Sequence, residues 1–285
     1  MKTLLSFGHG FSAQALSKLL VPTGWRVIGT TRSTEKFNAL SAAGVEPRQF
    51  PGDDLSDDIE AATHILISAG PNVDGDPTLS ALGDAIARKA AQVEWAGYLS
   101  TTGVYGDHKG AWIDEDTALT PSTRRGQWRK DAESAWQNIP NLPLHIFRLA
   151  GIYGPGRGPF AKVRKGTARR IIKEGQVFSR IHVDDIAQVL MASIERPNPG
   201  RIYNLCDNDP APPQDVIAYA AELLGVPIPE AVNIEDAEMT PMARSFYAES
   251  KRVKNERIKT ELGVQLTYPH YKSGLKALLE QENDV

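Results

Sequence analysis

The sequence predicts an α/β protein built on a doubly wound parallel sheet, with a smaller C-terminal lobe. Over roughly the first 150 residues, short apolar runs alternate with stretches of helical periodicity. This alternation is typical of parallel strands whose connecting helices cover both faces of a sheet. The first apolar run ends in a glycine-rich turn, and an amphipathic helix follows at once. In such sheets the ligand crevice lies at the carboxyl ends of the strands.

The individual elements follow in order from the spacing of the apolar residues. Apolar runs of strand length cover residues 3–7, 26–30 and 64–68, end at 98–100, and recur at 144–149. Helical periodicity covers residues 12–20, 34–43, 78–93 and 124–137. The alternation loosens after Gly151. We therefore expect a main domain from residues 1–160 and about 182–204, and a smaller lobe from residues 161–181 and 205–285.

Composition argues against several classes of protein. The chain has 285 residues, 41% of them hydrophobic, which is enough for a full core, and its net charge of −3 argues against a nucleic-acid binder. Cys206 is the single cysteine, so neither a disulfide framework nor a cysteine-based metal site is expected. No run approaches the roughly 18 apolar residues of a membrane span. The sequence predicts a cytoplasmic protein without a metal centre, a nucleic-acid partner or a membrane partner.

The turn after the first strand has the spacing of a dinucleotide-binding turn, G-H-G-F-S-A. In this spacing Gly8 permits the tight turn, Gly10 lets the backbone approach a pyrophosphate, and Ala13 allows the helix to pack closely on the strand. Phe11 and Ser12 would open the helix, whose free N–H groups face the phosphates. The pattern predicts a Rossmann-like nucleotide site; an ordinary glycine-rich strand–helix turn is the alternative.

The end of the second strand distinguishes the two nicotinamide cofactors. A protein that binds NAD usually carries Asp or Glu here, to accept a hydrogen bond from the ribose 2′-hydroxyl. This chain has Thr31, Arg32 and Ser33 instead, and no acid between Val27 and Thr34. A guanidinium with neighbouring hydroxyls suits the 2′-phosphate of NADP. We therefore expect NADP rather than NAD; a surface arginine at a strand end is the alternative.

Further motifs follow in a characteristic order. They are D-L at 54–55, S-T-T-G-V-Y-G at 100–106, F-R-L-A-G-I-Y-G-P-G-R at 147–157, R-I-H-V-D-D-I-A at 180–187 and Y-N-L at 203–205. Together with the glycine turn, they resemble the extended short-chain dehydrogenase/reductase family, which includes the NAD(P)-dependent nucleotide-sugar epimerases and dehydratases. The resemblance runs from about residue 3 to about residue 275.

The resemblance implies roles for further residues. Asp54 and Leu55 would border the adenine, and Ser68 and Ala69 would lie along the cofactor. Thr101 matches the Ser/Thr that hydrogen-bonds the substrate oxygen at the hydride-transfer centre. The smaller C-terminal lobe would face the substrate, and its basic stretch at 162–173 could bind an acidic ligand. A solvated charged face is the alternative for that stretch.

The catalytic Tyr and Lys of the family are replaced in this chain. The resemblance implies that they stand four residues apart on one helix face, where Lys holds the nicotinamide ribose and Tyr exchanges a proton with the substrate. Counted from Thr101, these positions hold Arg125 and Arg129. A guanidinium stays protonated near neutrality, so it can stabilise an oxyanion or bind phosphate or carboxylate but cannot donate the proton. Tyr105 and Tyr153 are candidate replacement acids, with packing roles as the alternative for both.

These observations leave three hypotheses for function. The first is an oxidoreductase or epimerase/dehydratase acting on a small polar substrate, which could be phosphorylated or nucleotide-linked. The second is a redox-silent NADP-binding sensor or partner module that has lost the Tyr/Lys pair. The third is an arginine-dependent lyase or isomerase without a redox step. The Arg125/Arg129 pair favours the second and the retained Thr101 favours the first. The sequence specifies no oligomeric state.

Overall fold

A computed structural model describes residues 1–283 of the chain. The strands in this range are β1 (Thr3–Phe7), β2 (Arg26–Thr31), β3 (Val45–Gln49), β4 (His64–Ile67), β5 (Trp95–Thr101), β6 (Trp112–Ile113), β7 (Leu144–Leu149), β8 (Gly151–Tyr153), β9 (Arg170–Ile172), β10 (Arg180–His182), β11 (Ile202–Leu205), β12 (Ala231–Asn233) and β13 (Arg252–Val253). The α-helices are α1 (Phe11–Leu20), α2 (Phe37–Ala42), α3 (Ser56–Ala61), α4 (Pro77–Lys89), α5 (Arg124–Gln137), α6 (Phe160–Arg164), α7 (Val183–Glu195), α8 (Pro213–Leu224), α9 (Pro241–Phe246), α10 (Glu256–Thr260) and α11 (Tyr271–Asn283).

The central sheet consists of seven parallel strands in the order β11-β7-β5-β4-β1-β2-β3. The chain builds outward from β1 through β2 to β3, and then returns to the other side of β1 to place β4. The connections therefore diverge above the carboxyl ends of β1 and β4, and this divergence opens a crevice at the switch point. The predicted doubly wound α/β fold is confirmed.

Helices cover both faces of this sheet, because its strands are buried on both sides. Helices α1, α2 and α7 bury apolar side chains on one face, and α3, α4 and α5 do so on the other. Representative members are Leu16, Leu40 and Leu190 on the first face and Ile59, Ile86 and Trp136 on the second. Full burial of a Leu or Ile side chain stabilises the fold by about 1.5–3 kcal/mol. These two layers hold the strand ends, and hence the crevice, in place.

Most predicted boundaries in the first half of the chain agree with the structure. Residues 3–7, 124–137 and 144–149 coincide with β1, α5 and β7. The helix predicted at 34–43 begins with a single 3₁₀ turn, so only α2 is α-helical there. The sequence pattern does not predict β3, whose residues V-E-P-R-Q are mostly polar and include a proline. An edge strand tolerates that proline, because one side of the strand needs no hydrogen-bond donor.

A second apolar cluster lies outside the central sheet. It gathers α6, α8 and α11 around buried residues that include Phe160, Ala220 and Leu275. Ile258 and Leu262, by contrast, pack in the main core. The division into a domain of residues 1–160 and about 182–204 and a lobe of residues 161–181 and 205–285 stays a prediction. Residues 284 and 285 of that lobe lie outside the described residues.

Across residues 1–283, no helix combines the length and the apolar character needed to cross a membrane. The same residues contain no group of three or more His, Cys, Asp or Glu side chains placed to hold a metal ion. Cys206 is a buried free thiol.

Candidate cofactor crevice and active site

The glycine turn after β1 forms the floor of the crevice. Gly8 has a φ of +75°, which L side chains rarely adopt, and its N–H donates to the Thr30 hydroxyl at 2.8 Å. A Cβ on Gly8 would lie only 2.7 Å from the backbone nitrogen of Ala69, just after β4. The N–H groups of Ser68 and Ala69 donate to the carbonyl of Phe7 at 2.8 and 3.0 Å, which holds this segment beside the turn. Gly8 is therefore required by its conformation and by the close approach of two strand ends.

Gly10 is not required by packing. Its φ of −97° is open to any L residue, and a Cβ there would meet only the Gly8 carbonyl oxygen, at 3.7 Å. No side chain caps α1, and its first turn carries no acidic residue. The first N–H groups of the helix, starting with those of Phe11 and Ser12, therefore face the crevice without a side-chain partner. A pyrophosphate bound to these amides would supply the reason for glycine that packing does not.

His9, between the two glycines, anchors the turn from inside the protein. Its Nε2 pairs with the Ser17 hydroxyl at 3.1 Å, and that hydroxyl donates to the carbonyl of Ala13 at 3.0 Å. Because the serine proton is already used, the imidazole carries its own proton on Nε2. Burial lowers the pKa of His9 to about 4, so the ring is neutral at pH 7. A Cβ on Gly29 would lie 2.7 Å from this ring, so glycine in β2 makes room for it.

The loop after β2 carries the predicted determinants of cofactor choice. Thr31 Oγ1 accepts from the N–H of Ser33 at 3.3 Å, and the Ser33 hydroxyl donates to Glu35 at 3.4 Å. Arg32 is exposed, and within residues 1–283 no hydrogen bond or ion pair involves its side chain. The structure thus leaves one unengaged guanidinium at this strand end, flanked by hydroxyls that already have local partners.

Asp54 and Leu55, the predicted adenine neighbours, lie just before α3. The exposed Asp54 carboxylate accepts from the N–H and hydroxyl of Ser56 at 2.9 and 2.7 Å, and these bonds lower the pKa of Asp54. Leu55 is buried in the core beneath α3, α4 and α5. Asp54 therefore already has a local structural function, and an adenine contact for either residue stays a prediction.

Thr101 ends β5 and leads directly into a 3₁₀ turn at Thr102–Tyr105. Its Oγ1 accepts from the N–H of Gly103 at 3.1 Å, and no described residue accepts its hydroxyl proton. The N-terminal end of α5 packs on this turn, since a Cβ on Gly126 would lie 2.7 Å from the Gly103 carbonyl oxygen. The close approach places the first turn of α5 against the turn that follows Thr101.

Arg129 is hydrogen-bonded near the carboxyl end of β5, an interior strand of the sheet. Its Nη1 donates to the Leu99 carbonyl at 2.6 Å and to the Tyr98 hydroxyl at 3.1 Å, and its guanidinium carbon lies 5.5 Å from the Tyr98 ring centroid. A Cβ on Gly70 would lie 3.1 Å from Nη2, so the absence of a side chain there leaves room for the guanidinium. Arg129 thus lies near the carboxyl ends of β4 and β5.

Arg125 has a different environment, although it stands one helical turn away. It is exposed, and the next residue, Gly126, is buried against the turn that follows Thr101. Within the part of the chain that the structure describes, its side chain forms no hydrogen bond or ion pair. Of the two arginines, Arg129 is hydrogen-bonded to β5, whereas Arg125 has no hydrogen bond or ion pair to another described residue.

A buried polar network, which the sequence motifs do not predict, supports the end of β5. Glu133 and Arg148 form an almost fully buried ion pair at 2.8 Å, and the Ser100 hydroxyl donates to Glu133. Arg148 also donates to the Tyr105 hydroxyl at 2.9 Å, which in turn donates to Asn204 at 2.8 Å. Burial raises the pKa of Tyr105 to about 12. Tyr105 is therefore a structural donor rather than a replacement for the missing acid.

Tyr153, the other candidate acid, lies in the second apolar cluster. Its ring meets that of His182 edge-on at 5.1 Å, its hydroxyl fits against Gly274, and burial raises its pKa. His182 caps α7, because its Nδ1 accepts from the N–H of Asp184 at 3.2 Å. These contacts give the I-Y-G-P and H-V-D-D motifs a structural role.

The basic stretch at 162–173 is largely engaged within its own surroundings. Arg169 donates to the main-chain carbonyl of Glu238, Arg170 to that of Pro229, and Lys173 to that of Tyr247. Arg164 forms an ion pair with Glu282. This arrangement favours a structural, solvated face over a ligand site.

Comparisons with known proteins agree with the fold, although no protein-family model matches the chain. The chain is 28% identical to Protein YeeZ of Escherichia coli (strain K12), over 94% of this chain and 97% of that protein. A solved structure from Silicibacter pomeroyi DSS, described as a functionally unknown conserved protein, is 62% identical, with a TM-score of 0.95 and 99% of both chains covered. A second solved structure, from Methylobacillus flagellatus, is 26% identical, with a TM-score of 0.73 over 99% of this chain and 98% of that one; its name assigns it to the NAD-dependent epimerases/dehydratases. With its doubly wound sheet, the chain resembles the extended short-chain dehydrogenase/reductase family and is similar to the structure named as an NAD-dependent epimerase/dehydratase.

Proposed function

We propose that the protein binds NADP at the glycine turn and acts as an oxidoreductase or epimerase/dehydratase on a small polar or nucleotide-linked substrate. The open space at Gly10, in front of the uncapped amides of α1, carries the proposal. The similar structure from Methylobacillus flagellatus, which is named as an NAD-dependent epimerase/dehydratase, supports a nicotinamide cofactor. The choice of NADP over NAD rests on Arg32, an exposed guanidinium without a partner in residues 1–283.

Each part of the cofactor has residues of suitable chemistry in this proposal. The pyrophosphate would contact the turn formed by Gly8, Gly10, Phe11, Ser12 and Ala13, and the 2′-phosphate would contact Thr31, Arg32 and Ser33. The adenine would contact Asp54 and Leu55, and the nicotinamide half would contact Ser68 and Ala69. When bound, the nicotinamide would supply or accept a hydride.

Three residues would act on the substrate. Thr101 would donate its free hydroxyl proton to the substrate oxygen in a hydrogen bond, and Arg125 would stabilise negative charge that develops nearby. Arg129 would stabilise the carboxyl end of β5 through its bond to the Leu99 carbonyl and would hydrogen-bond the nicotinamide ribose. Because the hydroxyls of Tyr105 and Tyr153 are buried, the proposal assigns proton delivery to solvent water.

The redox-silent NADP-binding module is a second candidate. The specific observation in its favour is that both tyrosines are held in structural contacts, which leaves the crevice without a phenol in place of the family's catalytic Tyr. This candidate shares the cofactor site and differs only in predicting no turnover.

Gly10→Val tests the cofactor site directly. A Cβ at this position has room in the protein alone, so we expect the variant to keep the melting temperature of the wild type without ligand. It should lose the rise in melting temperature caused by NADPH, because the branched side chain would occupy the place of the pyrophosphate. A thermal shift that persists in this variant would contradict the proposed site.

Turnover separates the two candidates. Aldehydes, ketones and nucleotide sugars are screened by NADPH oxidation, with Arg125→Ala as the comparison. The enzyme hypothesis predicts activity that this variant abolishes with little change in NADPH affinity. Binding of NADPH without activity on any substrate would support the module. Unaltered turnover in Arg125→Ala would remove Arg125 from the active centre.

A further inference from the structure

The N-terminal half of α5 carries positive charge that no described residue neutralises. Its cations are Arg124, Arg125, Arg129 and Lys130. None of them forms an ion pair within residues 1–283. Arg129 and Lys130 instead donate to the main-chain carbonyls of Leu99 and Leu119 at 2.6 and 3.0 Å. These hydrogen bonds position two of the cations but leave their charge uncompensated.

Three acids on or next to this segment already have other partners. The two acids of α5 itself are bound by Arg148 and by Gln127, the latter at 2.7 Å. Glu249 accepts from the Ser122 hydroxyl, just before the helix, at 2.5 Å, but it forms an ion pair with Lys251 at 2.6 Å. None of these three carboxylates forms an ion pair with Arg125.

This charge lies on the helix that packs against the turn after Thr101, and that turn marks what we call the reacting end of the crevice. Gly103 connects the two, since its N–H donates to Thr101 and its carbonyl oxygen packs against Gly126. Arg125, the residue before Gly126, is thereby held at the rim of the same turn and stays exposed. A group bound by this guanidinium would therefore lie within the reach of one arginine side chain from the turn that holds the Thr101 hydroxyl.

We infer that the substrate carries an oxyanion, either a carboxylate or a phosphate, close to its reacting carbonyl, and that Arg125 selects for it. The inference rests on the proposed function, because it names the substrate class of the same crevice. A guanidinium offers two parallel N–H donors that match the two oxygens of such a group. Neutral hydroxyls of a sugar would leave the positive charge at Arg125 uncompensated.

Matched pairs of charged and neutral probes test this inference without requiring turnover. Protein saturated with NADP⁺ is titrated calorimetrically with acetoacetate and methyl acetoacetate, and with glyceraldehyde 3-phosphate and glyceraldehyde. In at least one pair the charged member should bind roughly ten- to a hundredfold more tightly, as expected for a charge-assisted hydrogen bond. The pair that shows the preference identifies carboxylate or phosphate. The preference should weaken at high salt, since the guanidinium is exposed.

Two variants locate the preference. Arg125→Gln should bring the two members of the pair to about equal affinity, whereas Arg88→Gln, at an exposed arginine on α4, should keep the wild-type preference. Equal affinities in the wild type, no binding by either charged probe, or a preference that survives in Arg125→Gln would each overturn the inference. The NADP⁺ titration of the same samples keeps the two proposals apart. Failure to bind NADP⁺ contradicts the proposed function, and NADP⁺ binding without a preference for the charged probe contradicts only this inference.

Discussion

Two glycines in one turn have different reasons to be glycine. Gly8 has a positive φ and lies against Ala69, so a side chain there would distort the protein itself. Gly10 has an ordinary φ and open space around its Cβ position, so in our proposal its need for glycine comes from a bound cofactor. The first substitution would therefore report on folding and the second on cofactor binding. A sequence motif contains both glycines without distinguishing them.

Arg32 is the residue that should decide the choice of cofactor. Arg32→Asp should weaken NADP binding and narrow the gap to NAD, because the variant repels a 2′-phosphate and can accept from a 2′-hydroxyl. Loss of a charged hydrogen bond of about 1.5–3 kcal/mol corresponds to roughly ten- to a hundredfold in affinity. Calorimetric titration with both cofactors measures the change, and Arg88→Asp serves as the control on an exposed helix. Equal affinity of the wild-type protein for NADP and NAD would contradict the assignment.

Local patterns predict elements well where burial alone determines them. β1 and β7 follow from their apolar residues, since every residue of each strand is buried. The mostly polar α5, in contrast, buries only Gly126, Ala132, Glu133 and Trp136. The edge strand β3 is not predicted, because hydrogen bonds to β2 rather than apolar residues hold it in the sheet. The pairing of Glu133 with Arg148 is also absent from any local pattern, because it joins α5 to β7 across the fold. The sequence thus predicts where the crevice lies but not what supports its reacting end.

The contact between α5 and the Thr101 turn depends on Gly126. In Gly126→Ala the new Cβ would lie 2.7 Å from the Gly103 carbonyl oxygen and 2.9 Å from the Pro121 side chain, so the helix must shift. We expect a loss of about 1–3 kcal/mol in the free energy of unfolding. Urea denaturation measures this loss.

A matched glycine on the neighbouring helix provides the control. In α4, a Cβ on Gly83 would meet its nearest atom at an ordinary 3.7 Å. Gly83→Ala should therefore stabilise the protein, by about 0.5–1 kcal/mol, through the better helix propensity of alanine. If both variants stabilise the protein, the close contact at Gly126 is not limiting.

At the scale of the whole molecule, stability depends on a buried carboxyl group, that of Asp207 just after β11. Asp207 is 1% exposed, and its Oδ1 accepts from the N–H of Asp209 at 3.1 Å. Its Oδ2 has no hydrogen-bond partner among the described residues. Burial raises the pKa of Asp207 to about 8, with Asp209 and Asp185 adding to the rise and Arg180 opposing it.

This carboxyl group should make stability depend on pH. The ordinary pKa of an aspartate is 3.8, so between about pH 4 and pH 8 the folded protein holds a proton that the unfolded chain has lost. Its contribution to stability is therefore complete at low pH and is lost as the pH rises through this window. Asp207→Asn stays neutral, so its melting temperature should exceed that of the wild type by a margin that grows toward pH 8. Asp74→Asn, at an exposed loop position, should follow the wild type throughout. A margin that does not change with pH would show that Asp207 ionises normally.

The hydrogen bond from Tyr105 to Asn204 also has a consequence for the order in which the molecule is completed. During synthesis, the nucleotide turn between β1 and α1 can form early, because its partners in β2 and β4 emerge soon after it. Tyr105, however, waits for an acceptor that lies 99 residues later in the chain. Until β11 joins the sheet, the hydroxyl proton of this phenol must find water or stay without an acceptor, and a buried donor without an acceptor is unfavourable. The nascent chain can therefore complete the turn that we propose to hold the cofactor before it completes the hydrogen bonds that support the end of β5.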